Sequence, residues 1–102
     1  MARRVRPPHP GEVLQRRFLD PRGIRQQHLA DHIGEDVGNL NKLLHGERRI
    51  NPGLAWRLAL ALGTTPRFWT DLQADFDLWE ARPRRRIGKL PTRSHNIARR
   101  PH

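Results

Sequence analysis

Apolar residues recur along this chain at helical spacing, and nowhere do they alternate as a half-buried strand would. Val13, Leu14 and Phe18 share one face, Pro10 suits a first-turn position and Pro21 should end the run, which predicts a first helix over roughly Pro10 to Leu19. Ile24, Leu29, Ala30 and Ile33 form the next stripe, closed by Gly34, and predict a short second helix from about Arg25 to Ile33. Asp36 suits the cap of a third helix that carries Leu40, Leu43 and Leu44 inward and stops at Gly46 after His45. Asn51 followed by Pro52 is a cap-then-first-turn signal, and Leu54, Ala55, Leu58, Ala59 and Leu62 continue it to the terminator Gly63. Thr65 and Pro66 repeat that signal ahead of a fifth, aromatic helix, lined by Phe68, Trp69, Leu72, Phe76 and Trp79 and reaching about Ala81.

The helical pattern therefore occupies residues 9–81, one domain's worth of chain. Residues 1–8 are basic and proline-bearing, with Arg3, Arg4 and Arg6, and are expected to form a flexible arm. Residues 82–102 hold Arg82, Arg84, Arg85, Arg86, Lys89, Arg93, Arg99 and Arg100, no acid, and only Ile87, Leu90 and Ile97 as larger apolar groups. Such a segment cannot bury enough surface to offset its ordering entropy and is expected to be disordered by itself.

Charge changes the picture next. Twenty Lys and Arg against ten Asp and Glu give a net charge of +10 and a pI near 11.8, which favours a polyanion, nucleic acid above all. The chain has no cysteine, so disulfides and thiolate metal sites are excluded and a reducing cytoplasm is the expected setting. No apolar run approaches the roughly 20 residues of a membrane span, and the basic N-terminus leads into no signal-peptide core.

Helices two and three, separated by about three residues containing Gly34, have the spacing of a helix-turn-helix, whose second helix enters the major groove. An ordinary helical hairpin has the same spacing, so the outward residues must decide. Asn39 and Asn41 suit adenine edges, and Lys42 suits guanine or phosphate. Val37 could meet a thymine methyl, and Gly38 would let backbone approach DNA closely. Gln26, Arg48 and Arg49 are the candidates for flanking phosphates.

Taken together, the strings His9-Pro10-Gly11-Glu12-Val13-Leu14, Gly23-Ile24, Leu29-Ala30, Ile33-Gly34, Arg49-Ile50, Arg57-Leu58-Ala59, Ala61-Leu62-Gly63-Thr64-Thr65-Pro66, Phe68-Trp69 and Leu72-Gln73 resemble the HigA family of antitoxins, within the Xre-type helix-turn-helix class. The resemblance covers about Arg6 to Leu78. It implies an all-α, five-helix, lambda-repressor-like helix-turn-helix domain, to which the composition of the two ends adds a flexible basic arm and a basic tail outside the resemblance. It also implies a homodimer that represses its own operon by binding operator DNA, and that neutralises a small RelE/HigB-like mRNA-cleaving toxin. The chain departs from the pattern where Arg25 replaces a capping Ser or Thr, where Glu35-Asp36 makes the turn acidic, and where Trp56 and Leu60 are larger or more apolar than expected.

Helix five has more apolar surface than a four-helix core requires, so Trp69, Phe76 and Trp79 are expected at a two-fold dimer interface, while Phe68 and Leu72 pack inward. Asp71, Asp75, Asp77 and Glu80 concentrate acid on the same helix, either a solvated face or a patch for a basic toxin. His28 and His32 have the spacing of a metal pair, but a third ligand is missing, so no metal or other cofactor is expected. Ser94 is the lone serine, and no nucleophile with a base stands out, so an enzyme is not expected. Two alternatives stay open: a stand-alone Xre-type repressor with no toxin, and an interaction module whose basic ends bind RNA without sequence preference.

Overall fold

The computed structural model describes residues 5–92, and among them it contains helices and no strand. The ends of the expected arm and tail, Met1 to Arg4 and Arg93 to His102, lie outside the described residues. The first helix, α1, covers residues 10–22 in three segments. His9 caps it through Nδ1, which accepts the Gly11 N–H at 2.9 Å, and Pro10 occupies the first turn of Pro10–Val13. Over Leu14–Leu19 the hydrogen bonds widen to a π register, the Asp20 N–H reaching the Gln15 carbonyl, and an α turn follows at Asp20–Arg22.

Pro21 therefore does not end the helix where the sequence suggested. Proline lacks an N–H and crowds the carbonyl one turn back. The wider register immediately ahead of Pro21 opens that turn, and the helix runs on to Gly23, which stops it at φ 64°.

The remaining helices are α2, Gln26–Ile33; α3, Val37–Leu44; α4, Pro52–Leu62; and α5, Pro66–Glu80. Side chains cap three of them as their sequence signals suggest. Asp36 accepts from the Asn39 N–H at 3.1 Å, Asn51 from Leu54 at 2.8 Å and Thr65 from Phe68 at 3.1 Å. Arg25 precedes α2 without a side-chain cap, so the first-turn N–H groups of that helix keep no such partner.

Leu14, Leu19, Leu40, Leu43, Leu54, Leu58 and Trp69 are fully buried and make the centre of the core. Leu44, expected inward beside Leu43, is only half-buried at the end of α3. Trp69 corrects a second expectation. Instead of facing a partner copy it lies inside its own fold, its indole N–H donating to the Thr64 hydroxyl at 2.7 Å. Phe68 meets it edge-on at 4.9 Å and Phe18 at a tilt, 5.3 Å between ring centres. Helical spacing could not separate the inner from the lateral aromatics of α5, because both lie within one broad stripe.

The last residues of the expected arm are not detached from the body. Pro7 is half-buried, and the Arg6 guanidinium stands 5.3 Å from the centre of the Phe76 ring. At the other end residues 82–92 are exposed throughout and form no helix.

Candidate nucleic-acid interface

Leu40 and Leu43 dock α3 onto the core and so decide which of its side chains face outward. Gly38, Asn39 and Lys42 are exposed, whereas Val37 and Asn41 are half-buried at the edge of the same face. The candidate base-reading residues are thus together on one short, convex helix edge. A Cβ on Gly38 would stand 3.0 Å from the capping carboxylate of Asp36, a tight contact that the Asp36 side chain would have to relieve by a small shift.

Asn41 and Gln26 meet across the turn. The Asn41 Nδ2 group donates to Gln26 Oε1 at 3.3 Å, joining the reading helix to the first turn of α2. Sequence reasoning placed both at a DNA surface, one on bases and one on phosphate, but gave no sign that they touch.

The acidic turn is not a free negative patch. The Glu35 side chain is only 8% exposed and is held by Arg48 at 3.0 Å and Arg57 at 3.1 Å. Arg57 also donates to the Ile33 carbonyl at 3.1 Å, at the end of α2. This cluster fastens the helix-turn-helix turn to α4 and to the loop after α3. Arg48, expected on a flanking phosphate, is therefore committed to Glu35, with its side chain 25% exposed. Arg49 is more exposed and pairs with Asp77 of α5. Lys42, by contrast, makes no ion pair among the described residues.

Two buried polar side chains that sequence reasoning did not assign fix the helix from behind. Gln73 accepts the Ile50 N–H at 2.7 Å and donates to Asp77 at 2.9 Å, tying the loop before α4 to α5. His9 packs edge-on against Phe76, with ring centres 4.8 Å apart. Burial, then the charge of Arg6, lowers the His9 pKa below the ordinary 6.5, against opposing contributions from Asp77, Glu12 and a backbone hydrogen bond with Arg48. Burial pushes Asp77 up, but hydrogen bonds from Arg49 and Gln73 and the charges of Arg49 and His9 outweigh it and hold the carboxyl below 3.8. The signal for His9 was its place in the opening motif. For Gln73 there was only its position within the closing one.

Three short-looped helices, α1, α2 and α4, packed with a docked, polar-edged α3, and α5 behind them, define a helix-turn-helix DNA-binding domain. The helix-turn-helix family model matches residues 15–69. Antitoxin HigA-1 of Vibrio cholerae is 40% identical over 79 residues, which are 78% of this chain and 74% of that one. Among solved structures, antitoxin GraA in complex with its operator superposes with a TM-score of 0.72 at 36% identity, covering 79% of this chain and 82% of that one. Pseudomonas aeruginosa antitoxin HigA with the higBA promoter gives a TM-score of 0.72 at 33% identity over 74% and 83% of the two chains. The chain belongs to the helix-turn-helix family and, within it, to the HigA antitoxins.

Proposed function

We propose that this protein is a cytoplasmic antitoxin that binds the operator of its own operon as a homodimer and neutralises a small RelE/HigB-like mRNA-cleaving toxin. The observation that carries the DNA reading is the exposed edge of α3, where Gly38, Asn39 and Lys42 stand clear of a helix anchored by Leu40 and Leu43. Asn39, Asn41 and Lys42 read base edges, Val37 offers methyl contact, and Gly38 lets the backbone approach. Gln26 and Arg49 flank them. Arg48 acts through the turn it holds with Glu35.

The antitoxin reading is supported by similarity to proteins named as antitoxins, among them one solved with its operator and one with a promoter. Two-fold symmetry would set two reading helices about 34 Å apart, one turn of DNA. Phe76 and Trp79, half-buried on α5, are the remaining candidates for that contact. Among the described residues no helix is long and apolar enough to cross a membrane.

Two measurements test the proposal. Gel-shift binding to the DNA upstream of the protein's own gene should show a sequence-specific complex that competitor DNA of random sequence does not displace. Co-expression with the product of the neighbouring gene should give a co-purifying complex and relieve growth arrest. Specific DNA binding without any such partner would leave a stand-alone repressor, and binding without sequence preference would reject the operator role.

A further inference from the structure

The charge of this chain is divided between body and tail. Residues 5–81 carry ten Lys and Arg and ten Asp and Glu, a net of zero, whereas residues 82–102 carry eight basic side chains and no acid. The other two basic residues are Arg3 and Arg4. Hence the whole +10 lies outside the helical domain that presents α3. Within that domain, moreover, Arg48 and Arg57 are held by Glu35, Arg49 by Asp77 and Arg16 by Glu12. The reading edge offers hydrogen-bonding chemistry for bases, but the body as a whole has no net positive charge with which to hold a polyanion.

The start of the tail is fixed to the body. The Arg82 guanidinium lies 3.6 Å from the centre of the Trp79 ring and donates to the Trp79 carbonyl at 2.6 Å. Beyond it Arg84, Arg85, Arg86 and Lys89 are exposed on non-helical backbone, and none of them makes an ion pair among the described residues.

We propose that the segment from Arg82 to Lys89 is the principal phosphate-binding element of the protein, lying along the backbone of the duplex whose bases α3 reads. This rests on the DNA reading above and assigns its electrostatic part to a different stretch of chain. Duplex DNA is the partner the arrangement favours, because a tail tethered to a bound α3 meets that same duplex at high effective concentration. Each phosphate neutralised contributes about 0.9 to the slope of log affinity against log salt, so the five cations from Arg82 to Lys89 can supply a slope of up to about 4.5.

The test compares the full chain with its R84Q/R85Q/R86Q/K89Q variant, whose altered side chains are all exposed and leave the helical circular dichroism signal as a check on folding. Affinity for a random-sequence duplex of about 30 base pairs is measured by fluorescence anisotropy between about 50 and 200 mM salt. The variant should lose about 3 to 4 from the salt slope and bind roughly a hundredfold or more weakly near 0.1 M salt. The matching variant with lysine at positions 84, 85 and 86 should keep the parent slope. An unchanged slope in the glutamine variant overturns the proposal. So does an unchanged duplex slope accompanied by lost affinity for single-stranded RNA of the same length. Failure of the full chain to enrich any sequence from a random duplex library would instead sink base reading by α3, and the slope comparison would still judge the tail.

Discussion

The backbone of Gly11 lies so close to the Leu43 carbonyl that a Cβ on residue 11 would stand 1.8 Å from that oxygen. Gly11 is in the first turn of α1 and Leu43 is in the last turn of α3, so the opening helix is seated directly on the reading helix. Only glycine permits this approach, and the obstacle is backbone, which cannot rotate away as a side chain can.

Gly11→Ala is therefore expected to push α3 from its seat, costing at least about 2 kcal/mol, toward the upper end for overpacked positions. In a domain of this size that lowers the melting temperature by roughly 8 °C or more. DNA affinity should fall even below the unfolding temperature, because the shift is transmitted to the reading edge. A melting temperature within a degree or so of the parent in thermal denaturation would show that the helices can separate at little cost.

Glu35 makes a second prediction, with two readouts of opposite sign. Its carboxylate joins Arg48 and Arg57 while nearly buried itself, and removing one member of such a cluster leaves charge without a partner. Both arginines retain some solvent access, so the cost of Glu35→Gln is about 1 to 3 kcal/mol, below that of a fully enclosed pair. The same change releases two cations beside the reading helix. Binding to random-sequence DNA should accordingly tighten as chemical denaturation shows stability falling. If stability stays constant, the cluster does not hold the turn.

The helices were legible because their signals are local. Asp36, Asn51 and Thr65 cap as residues of their type do, and Gly34 and Gly63 end α2 and α4 at φ 72° and 77°. The outward position of Asn39 and Lys42 followed from Leu40 and Leu43 taking the inward one. What stayed hidden depends on contacts between distant segments. Glu35 reads as a liability in a DNA-binding turn until Arg48 and Arg57, thirteen and more residues away, are placed on it. Trp69 and Trp79 are indistinguishable by spacing, yet Thr64 and Phe18 enclose the first while Arg82 lies over the second. Pro21 shows the converse failure, a strong local stop signal overridden by a change of helical register.

The hydrogen bond between Asn41 and Gln26 changes what mutation of either should do. With Nδ2 directed to Gln26, Asn41 keeps its carbonyl oxygen for a base and the orientation of its amide is set from α2. Asn41→Ala is expected to cost about 1 to 3 kcal/mol of binding to the preferred sequence and to relax the preference at one base pair. Gln26→Ala should relax the preference at the same base pair, and the double variant should fall short of the sum by about 0.5 kcal/mol or more. Binding measurements on the two single variants and the double decide this. Strict additivity would mean that Gln26 acts on phosphate alone.

His9 connects the stability of the same assembly to pH. Its neutral ring accepts the Gly11 N–H through Nδ1, a role a protonated nitrogen cannot fill, and burial and Arg6 lower its folded pKa from 6.5. A histidine with a depressed folded pKa binds more protons when unfolded. Its stabilising contribution is therefore complete above pH 6.5 and is lost as pH falls from there through the folded value. Asp77, held below 3.8, loses its own contribution only at more acid pH, as protonation releases Arg49. The melting temperature should decline in two stages on acidification, the first below pH 6.5 and the second below 3.8. His9→Asn, which keeps a capping acceptor at the start of α1, should abolish the first stage and leave the second. Retention of the first decline in that variant would transfer it from His9 to another group.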